Sequence, residues 1–205
     1  MNKKNTKLHW DNIYTNKPPQ EVSWYQQEPT VSLEIIQHFS DKNARIIDIG
    51  GGMSVLIDYL LKAGYANLAL LDISGKAIEH VRKRLSDQAS TIEWFEKDIT
   101  EFAPPHIYDI WHDRAVFHFL TDIKSRQLYV NVLKNAVKSG SYIIIAAFAK
   151  DGPQKCSGLD IVQYDEPSIQ YELGDEFILL DSQSEKHITP AGKEQHFIYF
   201  IFQRK

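Results

Sequence analysis

Asp48, Asp72, Asp98 and the pair Asp113-Arg114 are the residues of this 205-residue chain best placed to do chemistry, because each follows or ends a short apolar run. Asp48 stands two residues ahead of three consecutive glycines, Gly50, Gly51 and Gly52. A glycine turn between an apolar run and a helix is where an open parallel sheet receives its ligand. Counting from Gly50, the third small residue of a dinucleotide fingerprint falls on Val55, so that pattern is incomplete. A carboxylate beside a pyrophosphate is also unfavourable, whereas a cationic ligand suits it.

Asp72 follows 24 residues after Asp48, where a carboxylate can accept both hydroxyl hydrogens of a ribose. Asp98-Ile99 follows the third apolar run, where an acid can accept from an adenine amino group while the aliphatic side chain packs on the ring. A nucleoside that also carries a sulfonium and an ammonium is S-adenosylmethionine, and three acids at three successive strand ends point to it. Ser54 and Ile73 belong to the same two turns and join the expected cofactor set. A tight turn and two helix N-caps would produce the same residues without any ligand.

Methyl transfer from a sulfonium requires in-line alignment and exclusion of water, with no metal and no covalent nucleophile. Asp113, Arg114 and His118 are the catalytic candidates. For an amine acceptor, Asp113 or His118 takes the proton; for a carboxylate, Arg114 clamps it. His112 and His118 also suit plain packing roles. The lone cysteine, Cys156, has no activating partner in sequence, and His80, His187 and His196 are too scattered to suggest a metal site.

The elements that must position these groups alternate. Strands are expected at 45–49, 67–71, 91–96, 108–112 and 142–149, and helices at 54–63, 74–85 and 122–137, the last closed by Ser139-Gly140. That rhythm predicts an α/β fold: a doubly wound, Rossmann-like, seven-stranded and mostly parallel sheet. Runs at 177–182 and 196–202, separated by Thr189-Pro190-Ala191-Gly192, read as a C-terminal antiparallel hairpin. Residues 31–39 have helical spacing, and residues 1–30 lack a period and are read as a flap carrying Trp10, Tyr14, Trp24 and Tyr25.

At 43% hydrophobic and 24% charged the chain is sized for one core, so a single domain over 1–205 is expected, with 1–40 covering the cofactor. A net charge of −4 gives no general attraction to nucleic acid or anionic membrane, which favours a small-molecule or protein substrate. One cysteine, no apolar N-terminal segment and no long apolar run imply a cytoplasmic protein, monomeric or weakly dimeric. A nucleotide-dependent oxidoreductase and a non-catalytic scaffold are the competing readings.

The motifs resemble the seven-strand class I methyltransferases, and within them the lysine methyltransferase-like group that modifies citrate synthase or elongation factor 1A, with its bacterial relatives. The resemblance runs through Trp10-Asp11-Asn12-Ile13-Tyr14, Val22-Ser23-Trp24-Tyr25, Asp48 to Gly52, Gly64-Tyr65, Leu71-Asp72-Ile73-Ser74, Lys97-Asp98-Ile99-Thr100 and Tyr108 to Ala115. It implies that Trp24 and Trp10 close the pocket and that Asp113 stands at its catalytic edge. Gly51-Gly52-Met53-Ser54, Arg114 and the C-terminal third depart from the lysine enzymes.

Overall fold

The computed structural model describes residues 3–205. Helix α1 (Lys3–Asn16) and α2 (Thr30–Phe39) precede β1 (Ile46–Ile49), and α3 (Leu56–Lys62), β2 (Leu68–Asp72), α4 (Gly75–Leu85) and β3 (Ile92–Glu96) follow. After β4 (Tyr108–Arg114) come α5 (Ile123–Ala136), β5 (Val137–Phe148), the short β6 (Lys155–Cys156) and β7 (Leu159–Asp160), α6 (Glu166–Leu173), β8 (Phe177–Ile188) and β9 (Glu194–Arg204).

Seven strands form one sheet in the order β3-β2-β1-β4-β5-β9-β8. β1 to β5 pair in parallel, while β9 runs antiparallel to both β5 and β8. This is the expected mostly parallel sheet with its C-terminal hairpin. β1 and β2 are buried along their whole length because helices cover both faces, which is why their sequences are apolar apart from one acid each, Asp48 inside β1 and Asp72 at the end of β2. Two apolar clusters, one per sheet face, hold the helices: Trp111, Tyr129, Phe117 and Leu133 on one, Leu56, Leu60, Val81 and Tyr199 on the other.

Two expectations change. The arm is not an irregular flap: residues 3–16 are helical, stabilised by packing of Trp10 and Tyr14 more than by any apolar stripe. Ser139-Gly140 does not close α5. The helix ends at Ala136 and the chain is extended from Val137, with Gly140 at a φ of +87° inside β5. The region 150–176 holds α6, whose capping box pairs the Asp165 side chain with the Ser168 backbone and the Ser168 side chain with the Asp165 backbone. No described helix is long and apolar enough to cross a membrane.

Candidate active site

The strand order reverses between β1 and β4, and a cavity of about 450 Å³ opens beyond their carboxyl ends. That volume lies in the range of small-molecule sites, roughly 300–1,000 Å³. Its walls include Trp10, Tyr14, Trp24, Gly50, Asp72, Ile73, Asp98 and Ile99 on one side, and Arg114, Phe119, Cys156, Leu159 and Asp160 on the other. A smaller cavity shares Trp24, Gly50 and Arg114 with it and adds Asp48, Gly51, Ser54 and His112. The expected cofactor residues therefore converge, apart from Gly52 and Asp113, which line neither.

The glycine turn is tight. A Cβ on Gly50, at a φ of +62°, would come 2.0 Å from Val116 Cγ2. At Gly51 it would meet Leu70 Cδ1 at 2.7 Å and Asp48 Oδ2 at 2.8 Å. Gly52 is buried beneath the Tyr14 hydroxyl, and its amide serves Asp72. Arg84 of α4, which no sequence motif singles out, braces the turn. It donates to Met53 O at 3.3 Å and to Ser54 O, and pairs with Asp58 at 2.7 Å.

The acids differ in their surroundings. Asp72 Oδ1 accepts the Ser74 amide at 2.7 Å, and burial pushes its pKa up to about 7 against the pull of that bond, with Asp48 and Asp11 adding to the rise. Both bonds that Asp98 receives from Thr100, to the amide at 2.8 Å and the hydroxyl at 2.7 Å, fall on Oδ1. Asp48 is 2% exposed. Its Oδ1 lies 2.7 Å from His112 Nδ1, and its Oδ2 has no hydrogen-bond partner among the described residues. Burial, with Asp72 nearby, also holds the Tyr14 phenol well above its ordinary value, so it stays protonated.

Two of the three catalytic candidates stand elsewhere. Asp113 is fully buried and accepts the Val116 amide at 2.9 Å, the Phe117 amide at 3.1 Å and the Tyr129 hydroxyl at 2.7 Å. Its carboxylate caps the turn that follows β4, and burial raises its pKa to about 6 despite those donors. His118 is fully buried beside Phe148 and Phe119, and burial, helped by Arg114, drives its pKa down to about 3. Neither lines a cavity, so neither meets an acceptor in this arrangement.

Arg114 does line both cavities, but three of its five N–H donors are already engaged. Nε donates to the Tyr199 hydroxyl at 2.9 Å, Nη1 to Trp24 O at 3.2 Å and Nη2 to Glu185 Oε2 at 3.3 Å, over the face of Phe197. Burial opposes its charge, yet Tyr199 and Glu185 outweigh that and raise its pKa. Glu185 also accepts from Gln26 at 2.8 Å, and His187 Nε2 lies 2.8 Å from Ser23 O, so the loop after the arm helix is tied to β8. Trp10, Tyr14, Trp24 and Phe119 meet edge to face or stacked, with centroids 5.1–6.2 Å apart, where the arm covers the cavity. Ala115 follows Arg114 at a φ of +70°, a conformation an alanine adopts only under local constraint.

Cys156, Leu159 and Asp160 come from the β6–β7 hairpin, whose Ser157-Gly158 turn has both residues at positive φ. The sequence signal for them was a serine-glycine turn between two short runs. Burial raises the Cys156 thiol above its ordinary pKa, so it is an unreactive wall residue.

A methyltransferase-domain family model matches residues 47–143, from β1 into β5. Over those residues the chain is similar to that methyltransferase domain. The malonyl-[acyl-carrier protein] O-methyltransferase 1 of Ilyobacter polytropus is 25% identical over 165 residues, covering 78% of this chain and 57% of the relative. The chain thus spans a little over half the length of that relative. Among solved structures, an S-adenosylmethionine-dependent methyltransferase of Anabaena variabilis superposes with a TM-score of 0.75 at 13% identity, covering 99% of this chain and 95% of its own. The N-methyltransferase NodS of Bradyrhizobium japonicum, in complex with S-adenosylhomocysteine, gives 0.72 at 14% identity with 98% of both chains covered. At such identities the likeness is one of fold. Nothing in these matches singles out the lysine methyltransferase-like group.

Proposed function

We propose that the chain transfers a methyl group from S-adenosylmethionine to a nitrogen nucleophile, an amine on a small molecule or side chain that enters between Phe119 and the β6–β7 hairpin. The observation that carries the cofactor reading is the row of carboxylates Asp48, Asp72 and Asp98 at the ends of three neighbouring strands, facing adjoining cavities under an aromatic arm.

The residues fit that cofactor. Asp72 offers a carboxylate to ribose hydroxyls, Asp98 and Ile99 the edge and face of an adenine site, and Gly50 and Gly51 a backbone without side chains. Ser54 and Ile73 complete the walls, Trp10 and Trp24 close them, and Gly52 serves by holding Asp72. When bound, the group supplies an electrophilic methyl on a sulfonium. The chain's part is to orient the acceptor and exclude water, which the aromatic cover favours. Relatives with this fold that carry S-adenosylhomocysteine support the assignment.

The choice of nitrogen rests on Arg114. A carboxylate acceptor needs a cation whose charge is unmatched, and Arg114 is already paired with Glu185 at 3.3 Å, with three of its five N–H groups bonded to Tyr199, Trp24 and Glu185. Asp122 and Asp160 lie in the acceptor-side wall, which suits an amine arriving with a proton to shed. The carboxylate reading, named by the Ilyobacter relative, is the alternative outcome.

Thermal shift and calorimetry with S-adenosylhomocysteine and NAD test the cofactor. Ligand at a hundred times its dissociation constant adds about 2.7 kcal/mol of stability. Stabilisation by NAD alone would sink the reading. Methyl-labelled S-adenosylmethionine offered with panels of amines, carboxylates and thiols tests the acceptor, and label on carboxylates only would overturn the nitrogen assignment.

A further inference from the structure

His112 has a place in the site that its sequence position does not reveal. In the β1–β4 register, His112 is the direct neighbour of Asp48, so their side chains share one face of the sheet. Both are 2% exposed, and Nδ1 lies 2.7 Å from Asp48 Oδ1. On the far side Nε2 lies 2.9 Å from the hydroxyl of Ser32, a fully buried residue of α2. Both ring nitrogens are thus used, which leaves neither to take a proton from an acceptor.

The bond from His112 to Oδ1 fixes the carboxylate so that Oδ2 points toward Gly51. A Cβ on Gly51 would come 2.8 Å from that oxygen. Oδ2 is buried and has no hydrogen-bond partner among the described residues. An unpaired buried carboxylate oxygen is costly, and a ligand cation removes the cost by direct pairing. The cation available in the proposed cofactor is its α-ammonium.

We propose that His112 is a positioning residue for the cofactor's amino-acid end, aiming Asp48 Oδ2 at the ammonium while Ser32 holds the far side of the imidazole. The proposal rests on the S-adenosylmethionine reading above. Nδ1–H donates to the Asp48 carboxylate, which can only accept, and Nε2 meets the Ser32 hydroxyl, which also lies 3.4 Å from the Tyr199 hydroxyl. Loss of the imidazole frees the carboxylate to rotate and leaves it with no donor, so it no longer presents one oxygen to the ligand.

The test compares two ligands that differ in the ammonium. S-adenosylhomocysteine carries the whole amino-acid chain, and 5′-methylthioadenosine keeps the nucleoside and sulfur without it. Calorimetry on the full chain should show His112→Phe weakening S-adenosylhomocysteine by about 10- to 100-fold, the range for a hydrogen bond to a charged group, with 5′-methylthioadenosine affinity unchanged. His112→Asn, which keeps an N–H toward Asp48, should recover most of the loss. If His112→Phe does not fold, Ser32→Ala makes the same comparison with a smaller loss in the same direction. Equal weakening of both ligands, or no weakening of either, overturns the inference while a wild type that binds S-adenosylhomocysteine leaves the cofactor reading standing. A wild type that binds neither ligand overturns both.

Discussion

The Tyr129 hydroxyl donates to Asp113 Oδ2 at 2.7 Å while accepting from the Trp111 indole N–H at 2.8 Å, and all three residues are fully buried. A carboxylate with four such bonds from the chain is a structural knot. Asp113→Ala strands the Val116 and Phe117 amides and the Tyr129 hydroxyl together. At about 1–3 kcal/mol for each buried donor left unmatched, the fold is expected to lose at least 3 kcal/mol. Tyr129→Phe should cost about 1–2 kcal/mol and leave kcat per folded molecule unchanged. Urea denaturation combined with turnover corrected for the folded fraction checks both; an Asp113→Ala protein of wild-type stability that turns over nothing would return Asp113 to a catalytic role.

Asp72 sets a dependence on pH. Its folded pKa, about 7, lies above the ordinary carboxylate value, so the folded state holds the proton more tightly than the unfolded chain. Its contribution to stability is full at pH below about 4 and is lost as pH rises to about 7. Asp72→Asn removes that loss. The variant and the wild type should melt together near pH 4, and by pH 8 the variant should be the more stable by up to roughly 4 kcal/mol. Cofactor affinity should run the other way: ribose hydroxyls donate best to the ionised form, so wild-type affinity for S-adenosylhomocysteine climbs between pH 6 and 8. The variant should bind at least tenfold more weakly, with a flat profile. Calorimetric titrations and melts across pH 4 to 8 decide it.

The acids at the strand ends were legible because buried parallel strands leave few positions where a charge can stand, and the turn after each strand is one of them. Asp48, Asp72 and Asp98 needed only the alternation of elements to be placed. Asp113 looked the same in sequence, yet its side chain serves the chain itself, and only the positions of Tyr129 and the 116–117 amides reveal it. Helix α1 escaped because its stability comes from Trp10 and Tyr14 packing on Phe119 and Trp24, which no local period records. The partners of Arg114 lie 71 and 85 residues away along the chain, so the commitment of its donors was equally invisible. Helix α6 was readable: Asp165 followed by Pro167 and Ser168 is a start signal.

Gly50 and Gly52 differ in what a side chain would meet. Gly50→Ala combines a φ of +62° with a 2.0 Å approach to Val116, which itself lies over the Asp113 cap, so the variant should fold poorly or lose the turn. Gly52→Ala at a φ of +50° meets only the Tyr14 hydroxyl at 2.6 Å, the far end of a side chain that can move. It should fold, at a cost of about 1–2 kcal/mol for the left-handed backbone, with the arm displaced. Pairing Gly52→Ala with Tyr14→Phe should restore much of the arm packing. Tryptophan fluorescence reads it directly, since Trp10 and Trp24 both touch Tyr14; unchanged emission in Gly52→Ala would show that the contact does not govern the arm.

Arg114 and Glu185 form the buried pair that joins β4, β8 and the loop after the arm, with side chains 10% and 13% exposed. Removing one member leaves the other charged and desolvated, which costs about 3–5 kcal/mol, whereas removing both costs less than the sum. Arg114→Leu and Glu185→Leu should each be severely destabilising, and the double variant should recover about 1–3 kcal/mol relative to additivity. Arg114→Lys is not a mild change here, because an ammonium cannot reach Tyr199, Trp24 O and Glu185 at once. It should release the loop at 22–26 first, seen as faster amide exchange there than in the sheet. Protection at 22–26 that stays at the wild-type level in Arg114→Lys would mean that His187 and Gln26 alone hold the loop.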